Sequence, residues 1–183
     1  DLIDQRLQIS GELSLPVMER LRKATRKTVN DRKLRGLALA AIRETFEGTG
    51  LIIGRPASQS VSTTHPVWQD YLSHGAEPPL EQMDFIARAI TPTYRTRRFD
   101  TRFFMIHGQF IFNDAEQITD ASGELSELHW LTLSEARQMD LPAVTRWAID
   151  LVEQRIQLSR AEQVKQTAPF VRFAKGKEIS IDL

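Results

Sequence analysis

The chain has 183 residues and 41% hydrophobic content, enough for a sizeable core. Lys plus Arg and Asp plus Glu are both 24, so the formal charge is zero, which gives no overall reason to expect a nucleic-acid or acidic-membrane partner. Cysteine is absent, which excludes a disulfide framework, a zinc thiolate site and a thiol nucleophile. No apolar run is long enough to span a bilayer, and the default expectation is a cytoplasmic protein organised as a single domain.

Leu15 to Arg26 reads as a short helix. Pro16 suits its first turn, Ser14 can cap it, and Val17, Leu21 and Ala24 form its apolar stripe. The basic residues from Arg20 to Arg35 read as a solvated helical hairpin; a phosphate-facing surface is the alternative. Asn30 or Asp31 can cap the next helix, expected over Leu34 to Gly48. Leu37, Ala40 and Ala41 lie on one face of it, and Leu39, Ile42 and Phe46 on a neighbouring one. Gly50 suits the left-handed residue that ends a helix. Arg43 and Glu47 are four apart and can pair. Glu44 and Glu47 are three apart, so two carboxylates project from one face. Such a pair is either a solvated face or a set of oxygen ligands for a hard cation, Mg2+ or Mn2+.

Leu51 to Ile53 predicts a short strand, Gly54 to Thr64 a Ser/Thr-rich loop, and His65 to Ser73 a short helix bearing Trp68, Tyr71 and Leu72. Gly75 to Pro79 breaks the chain, and Met83 to Thr91 alternates as a strand. Arg97, Arg98 and Arg102 surround a second strand. Their guanidinium forks suit phosphate oxygens, or equally the cross-strand ion pairs of an exposed hairpin. Leu125 to Leu133 predicts a strand in which Trp130 is core; Glu124 precedes it. Ser134 is expected to cap a helix over Glu135 to Met139, and Leu141 to Gln157 reads as a long amphipathic helix. Pro169 to Phe173 and Lys177 to Ile181 predict a terminal hairpin.

The string Arg43-Glu44-Thr45-Phe46-Glu47-Gly48-Thr49-Gly50-Leu51 resembles the second half of the Nudix box, Arg-Glu-U-x-Glu-Glu-x-Gly-U with U apolar. Arg43, Glu44, Glu47, Gly50 and Leu51 match; Gly48 replaces the second glutamate of the adjacent pair. At the standard spacing of the first half, Val29 stands for the glycine and Arg35 for the glutamate. The stretch AAIRETFEGTG, with RRFDTRFF from Arg97 and ELSELHW from Glu124, resembles the coenzyme A diphosphatase-like branch, whose box is interrupted by an insertion. The likeness runs from Leu34 to Trp147, with a weaker echo at Pro169 to Gly176. The residues after Trp147 read as the C-terminal helix and hairpin.

This resemblance implies an α/β/α sandwich with a mixed sheet, with opening strands and a Gly-Gly turn expected upstream of Asp1. It implies a metal-dependent hydrolase of a nucleoside diphosphate-linked small molecule, with coenzyme A or an acyl derivative as the substrate class. By the same resemblance Glu44, Glu47 and Glu124 would hold Mg2+ or Mn2+, Glu124 could instead act as base, and Arg43 would orient Glu47. Arg97, Arg98 and Arg102 would meet substrate phosphate. No nucleic-acid or membrane partner is expected, and a homodimer is left open. Gly48 also supports a different reading, in which a weakened Nudix-like domain binds a ligand or regulates without turning over.

Overall fold

The computed structural model describes residues 4, 7–23, 25, 28–113, 129–174 and 177–183. It is an α/β fold with a mixed four-stranded sheet, as the resemblance implied, and it also has a small antiparallel sheet. Residue contacts divide the chain into two compact units, each assembled from three separate stretches.

The first unit comprises Asp1–Ser14, Thr28–Met83 and Ile106–His129. Its main element is helix α2, Asp31–Thr49. The Asn30 side chain accepts from the Lys33 N–H and so satisfies one of the donors that a helix start leaves orphaned. At the other end Gly50 has φ 72° and donates its N–H to the Phe46 carbonyl. A residue with a Cβ is strained there, which is why glycine occupies the position. The buried stripe is Leu34, Ala38, Leu39 and Ile42, all fully shielded. Leu37, Ala40 and Ala41 lie at its half-buried margin, so the core face is rotated from the expected one.

Helix α2 packs on α3, Pro66–Ser73, through edge-on contact of Phe46 with Tyr71 at 5.5 Å between ring centres. Trp68 and Tyr71 of α3 are fully buried and meet each other edge-on. Strands β1 (Arg55–Pro56) and β2 (Ala76–Glu77) pair antiparallel. The strand expected at Leu51 to Ile53 is reduced to one bridge, Ile53 to Ile111. The Asn113 side chain explains the truncation: it accepts from the Ile52 N–H and donates to the Gly50 carbonyl, replacing ladder bonds.

The second unit comprises Leu15–Lys27, Asp84–Met105 and Trp130–Leu183. Its sheet runs in the order β4, β3, β5, β6. Strand β3 (Asp84–Ile90) pairs antiparallel with β4 (Asp100–Met105) and parallel with β5 (Pro169–Ala174), and β5 forms the expected hairpin with β6 (Lys177–Asp182). Helix α1 (Leu15–Lys23) and helix α5 (Ala143–Ile156) both contact β3. The hydroxyl of Ser14 is buried and makes no hydrogen bond, so it does not cap α1. Helix α4 (Leu133–Gln138) starts at a capping box of Thr132 and Glu135, not at Ser134. A short helix α6, Arg160–Gln163, follows α5.

The basic run is not simply a solvated surface. Arg20 and Arg155 enclose the fully buried Asp84, with Arg20 Nη2 at 2.5 Å and Arg155 Nε at 3.5 Å. The same guanidinium groups donate to the carbonyls of Gln166 and Thr167, at 2.7 and 2.6 Å, and so anchor the approach to β5. In the first unit Arg35 is buried and donates to the Leu7 carbonyl at 2.9 Å, an interior role. Trp130, expected in the core, is 64% exposed. Its neighbour Leu133 opens a helix rather than closing a strand; residues 125–128 of the expected strand lie outside the described residues. No helix among the described residues is long and apolar enough to cross a membrane.

Candidate functional site

The last two turns of α2 carry Arg43, Glu44 and Glu47, and the helix geometry places all three around one guanidinium. Arg43 Nη2 donates to Glu44 Oε1 at 2.7 Å and Nη1 donates to Glu47 Oε2 at 2.5 Å. Its Nε donates to Asp4 Oδ1 at 2.9 Å, and the Trp68 indole N–H donates to the same oxygen at 3.0 Å. Arg43 is therefore a hub for three carboxylates, one from a distant stretch of the chain. Edge-on contacts of Phe46 with Tyr71 and His74 fix the same end of α2 to α3, which also carries Trp68.

The three carboxylates differ in their access to solvent. The Asp4 side chain is fully buried, Glu47 is 34% exposed and Glu44 is 68% exposed. Burial pushes the Asp4 carboxyl up, but its hydrogen bonds, those from Arg43 and Trp68 among them, and the Arg43 charge outweigh it and hold Asp4 below the usual aspartate range. Burial disfavours the charged Arg43, yet its contacts with Asp4 and Glu44 raise its affinity for the proton overall. Among the described contacts one guanidinium meets three carboxylates, and the excess of carboxylates reaches solvent through Glu44 and Glu47.

That excess suits a hard cation, but not as a preformed cage. Among the described residues no group of three or more His, Asp or Glu side chains is arranged to hold a metal. Glu44 and Glu47 are accessible and close in sequence, while Asp4 is committed to Arg43 and Trp68. At the next position Gly48 offers no side chain. Two accessible carboxylates fit an ion that retains most of its water, as Mg2+ readily does. Glu124 lies outside the described residues.

Arg97, Arg98 and Arg102 belong to the second unit, whereas Glu44 and Glu47 belong to the first. Arg102 approaches Asp100 Oδ1 at 3.4 Å. Arg88, opposite Arg102 in the ladder, holds Asp100 with two bonds, at 2.7 and 2.6 Å. Arg102 is thus part of a cross-strand ion cluster, one of the two roles open to it from sequence. Arg97 and Arg98 are exposed in the turn between β3 and β4, where Arg98 Nε donates to the Thr91 carbonyl at 3.3 Å.

Two features of the first unit had no strong sequence signal. Asp4 is one; only its acidic character near the start of the chain marked it. The other is the fully buried Glu77, which accepts from Ser10 at 2.7 Å and from Arg55 Nε at 3.0 Å. Burial raises the Glu77 carboxyl, and these bonds with the Arg55 charge bring it back below the usual glutamate range. Arg55 also reaches Glu81 at 2.6 Å. Ser58 donates toward Glu77 and lines an adjoining cleft of about 750 Å³, walled by Gln59, Ser60, Ser62, Thr63, Gln69 and Leu72. The lining is rich in hydroxyl and amide groups and carries no formal charge.

Comparison of the chain with models of protein families, with curated proteins and with solved structures found no match.

Proposed function

We propose that the chain is a Nudix-type hydrolase of a nucleoside diphosphate-linked small molecule, with Glu44 and Glu47 as its acidic centre and Arg43 as the residue that orients them. The observation that carries this reading is the three-way grip of Arg43 on Glu44, Glu47 and the buried Asp4 at a glycine-capped helix end. A purely solvated glutamate pair needs no such anchor. Asp4, itself held by Trp68, prevents the guanidinium from swinging away, and the guanidinium in turn limits the rotamers of both glutamates.

In this reading Glu44 and Glu47 hold Mg2+ or Mn2+ loosely, and the bound ion supplies charge neutralisation of the diphosphate and an acidified water. Arg43 keeps the two carboxylates aligned. The uncharged, hydroxyl-lined cleft beside Ser58 suits a neutral part of such a substrate better than its phosphates. Coenzyme A, an acyl derivative of it, or a related diphosphate is the substrate class. The reading requires nothing of the arginines in the second unit.

Gly48 favours a second reading, a domain that binds such a ligand without appreciable turnover. Gly48→Glu separates the two. Manganese affinity is measured by calorimetry, and product release from coenzyme A and ADP-ribose is measured with Mg2+ or Mn2+. A gain in both supports a weakened hydrolase. Brisk turnover by the unaltered chain, with no gain from Gly48→Glu, removes the binding-module reading. Failure of both proteins to bind the ion removes the hydrolase reading.

A further inference from the structure

The turn between β3 and β4 reads Thr-Pro-Thr-Tyr-Arg-Thr-Arg-Arg-Phe from Thr91 to Phe99 and contains no acid. It is closed at its base by the Thr91 N–H donating to the Phe99 carbonyl at 2.9 Å. Arg95, Arg97 and Arg98 are all exposed. Tyr94 is 73% exposed and Phe99 63%, although both are aromatic. Both rings stay largely in solvent beside three arginines, although Tyr94 also meets Phe173 and Arg95.

The sheet adds more charge at the same end. Because β3 and β5 run parallel, with Arg88 opposite Phe170 and Ala89 opposite Val171, the tip projects from the end where β5 turns into β6. Contact of Tyr94 with Phe173, 6.2 Å between ring centres, confirms that proximity. Exposed Arg172 and Lys177 lie there as well, against Glu178 as the opposing acid on the paired strand. Asp100, next to the tip, is neutralised by Arg88 and Arg102. A chain of zero net charge therefore has one locally cationic end of a sheet, decorated with solvent-facing rings.

We propose that this tip binds single-stranded nucleic acid, its arginines on the phosphates and Tyr94 and Phe99 stacked on unpaired bases. Guanidinium groups meet phosphate oxygens through a fixed fork of donors. Unpaired bases offer flat faces to aromatic rings in any sequence, so such binding tolerates sequence changes. A duplex hides those faces, and a membrane surface would use the cations but gives the rings no stacking partner. This inference is independent of the hydrolase reading.

The test is fluorescence anisotropy with a labelled 12-nucleotide thymidine strand and with an equally long abasic phosphate spacer, in EDTA so that metal-dependent turnover is silent. At physiological salt a dissociation constant of roughly 1–100 µM is expected for the thymidine strand. R97A/R98A should weaken binding and reduce the slope of log affinity against log salt by about 1.4, since each lost phosphate contact accounts for about 0.7. R97K/R98K should keep that slope. Y94A/F99A should weaken the thymidine strand roughly thirtyfold or more while leaving the spacer and the slope unchanged. Thermal melts confirm that each variant is folded. Absence of binding, equal affinity for strand and spacer, or adsorption to phosphatidylserine vesicles without strand binding would each overturn the proposal.

Discussion

Arg43→Ala offers the most direct probe of the hub on α2. It takes the guanidinium away from the fully buried Asp4 carboxylate, which keeps the Trp68 N–H among its partners. Removing one member of a buried ion pair costs about 3–5 kcal/mol, mostly through the charge left uncompensated. The surviving indole bond and the half-exposed setting of Glu47 argue for the lower end, about 3 kcal/mol at neutral pH. In a chain of this size that is a fall in melting temperature of roughly 6–12 °C. The loss should shrink at pH 4, because protonated Asp4 no longer needs a cation. Urea unfolding followed by far-UV circular dichroism measures both values. Asp4→Asn in the Arg43→Ala background should recover much of the stability, giving a coupling energy from the four-way cycle. A loss below about 1 kcal/mol at neutral pH, or one that does not change between pH 4 and 7, would refute the idea that Arg43 compensates a buried charge.

Asp84→Ala should be at least as damaging, about 3–5 kcal/mol by calorimetry, because it strands both Arg20 and Arg155 in the interior. Gly50→Ala should cost about 1–2 kcal/mol by chemical denaturation, the price of a Cβ at φ 72°, without altering metal affinity. Acid should destabilise the chain through Asp4 and Glu77. Both carboxyls bind protons less readily when folded, so their contribution is complete above their ordinary values of 3.8 and 4.5 and is lost as pH falls through the lower folded values. Asp4→Asn with Glu77→Gln should flatten the stability curve below pH 5; an unchanged slope would sink this assignment. Leu39→Ala should cost about 2–5 kcal/mol in thermal melts, whereas Leu37→Ala, at the half-buried margin, should cost clearly less.

The features visible in sequence are those that local rules determine. Helix α2 announces itself through Asn30, its apolar period and Gly50, and the Arg43–Glu47 pair follows from a spacing of four. Strand β3 and the β5–β6 hairpin follow from alternation and a glycine turn. The failures are non-local. Arg20 looks like part of a solvated basic run because its partner, Asp84, is 64 residues away. Arg35 looks the same because the carbonyl it satisfies belongs to Leu7. Asn113 preempts the strand at Leu51 to Ile53 from 61 residues away. Of the candidate site, Glu44, Glu47 and Arg43 were legible as a cluster, but the anchoring of Arg43 by Asp4 and Trp68 was not.

The pairing of Asp84 with Met105 gives the β3–β4 hairpin a role beyond the sheet it belongs to. The chain leaves the first unit at Met83 and returns to it at Ile106, and the hairpin holds those two points side by side. Without it the first unit would have to close a loop of about 20 residues, at an entropic cost of roughly 2–3 kcal/mol. The hairpin thus fixes the separation of the two ends of the insertion. Neither unit can be cut from the chain as one continuous fragment. Swapping this hairpin for a flexible linker of equal length should loosen the Ile53–Ile111 bridge before anything else in the first unit, because that bridge depends on the segment after Met105 arriving in place.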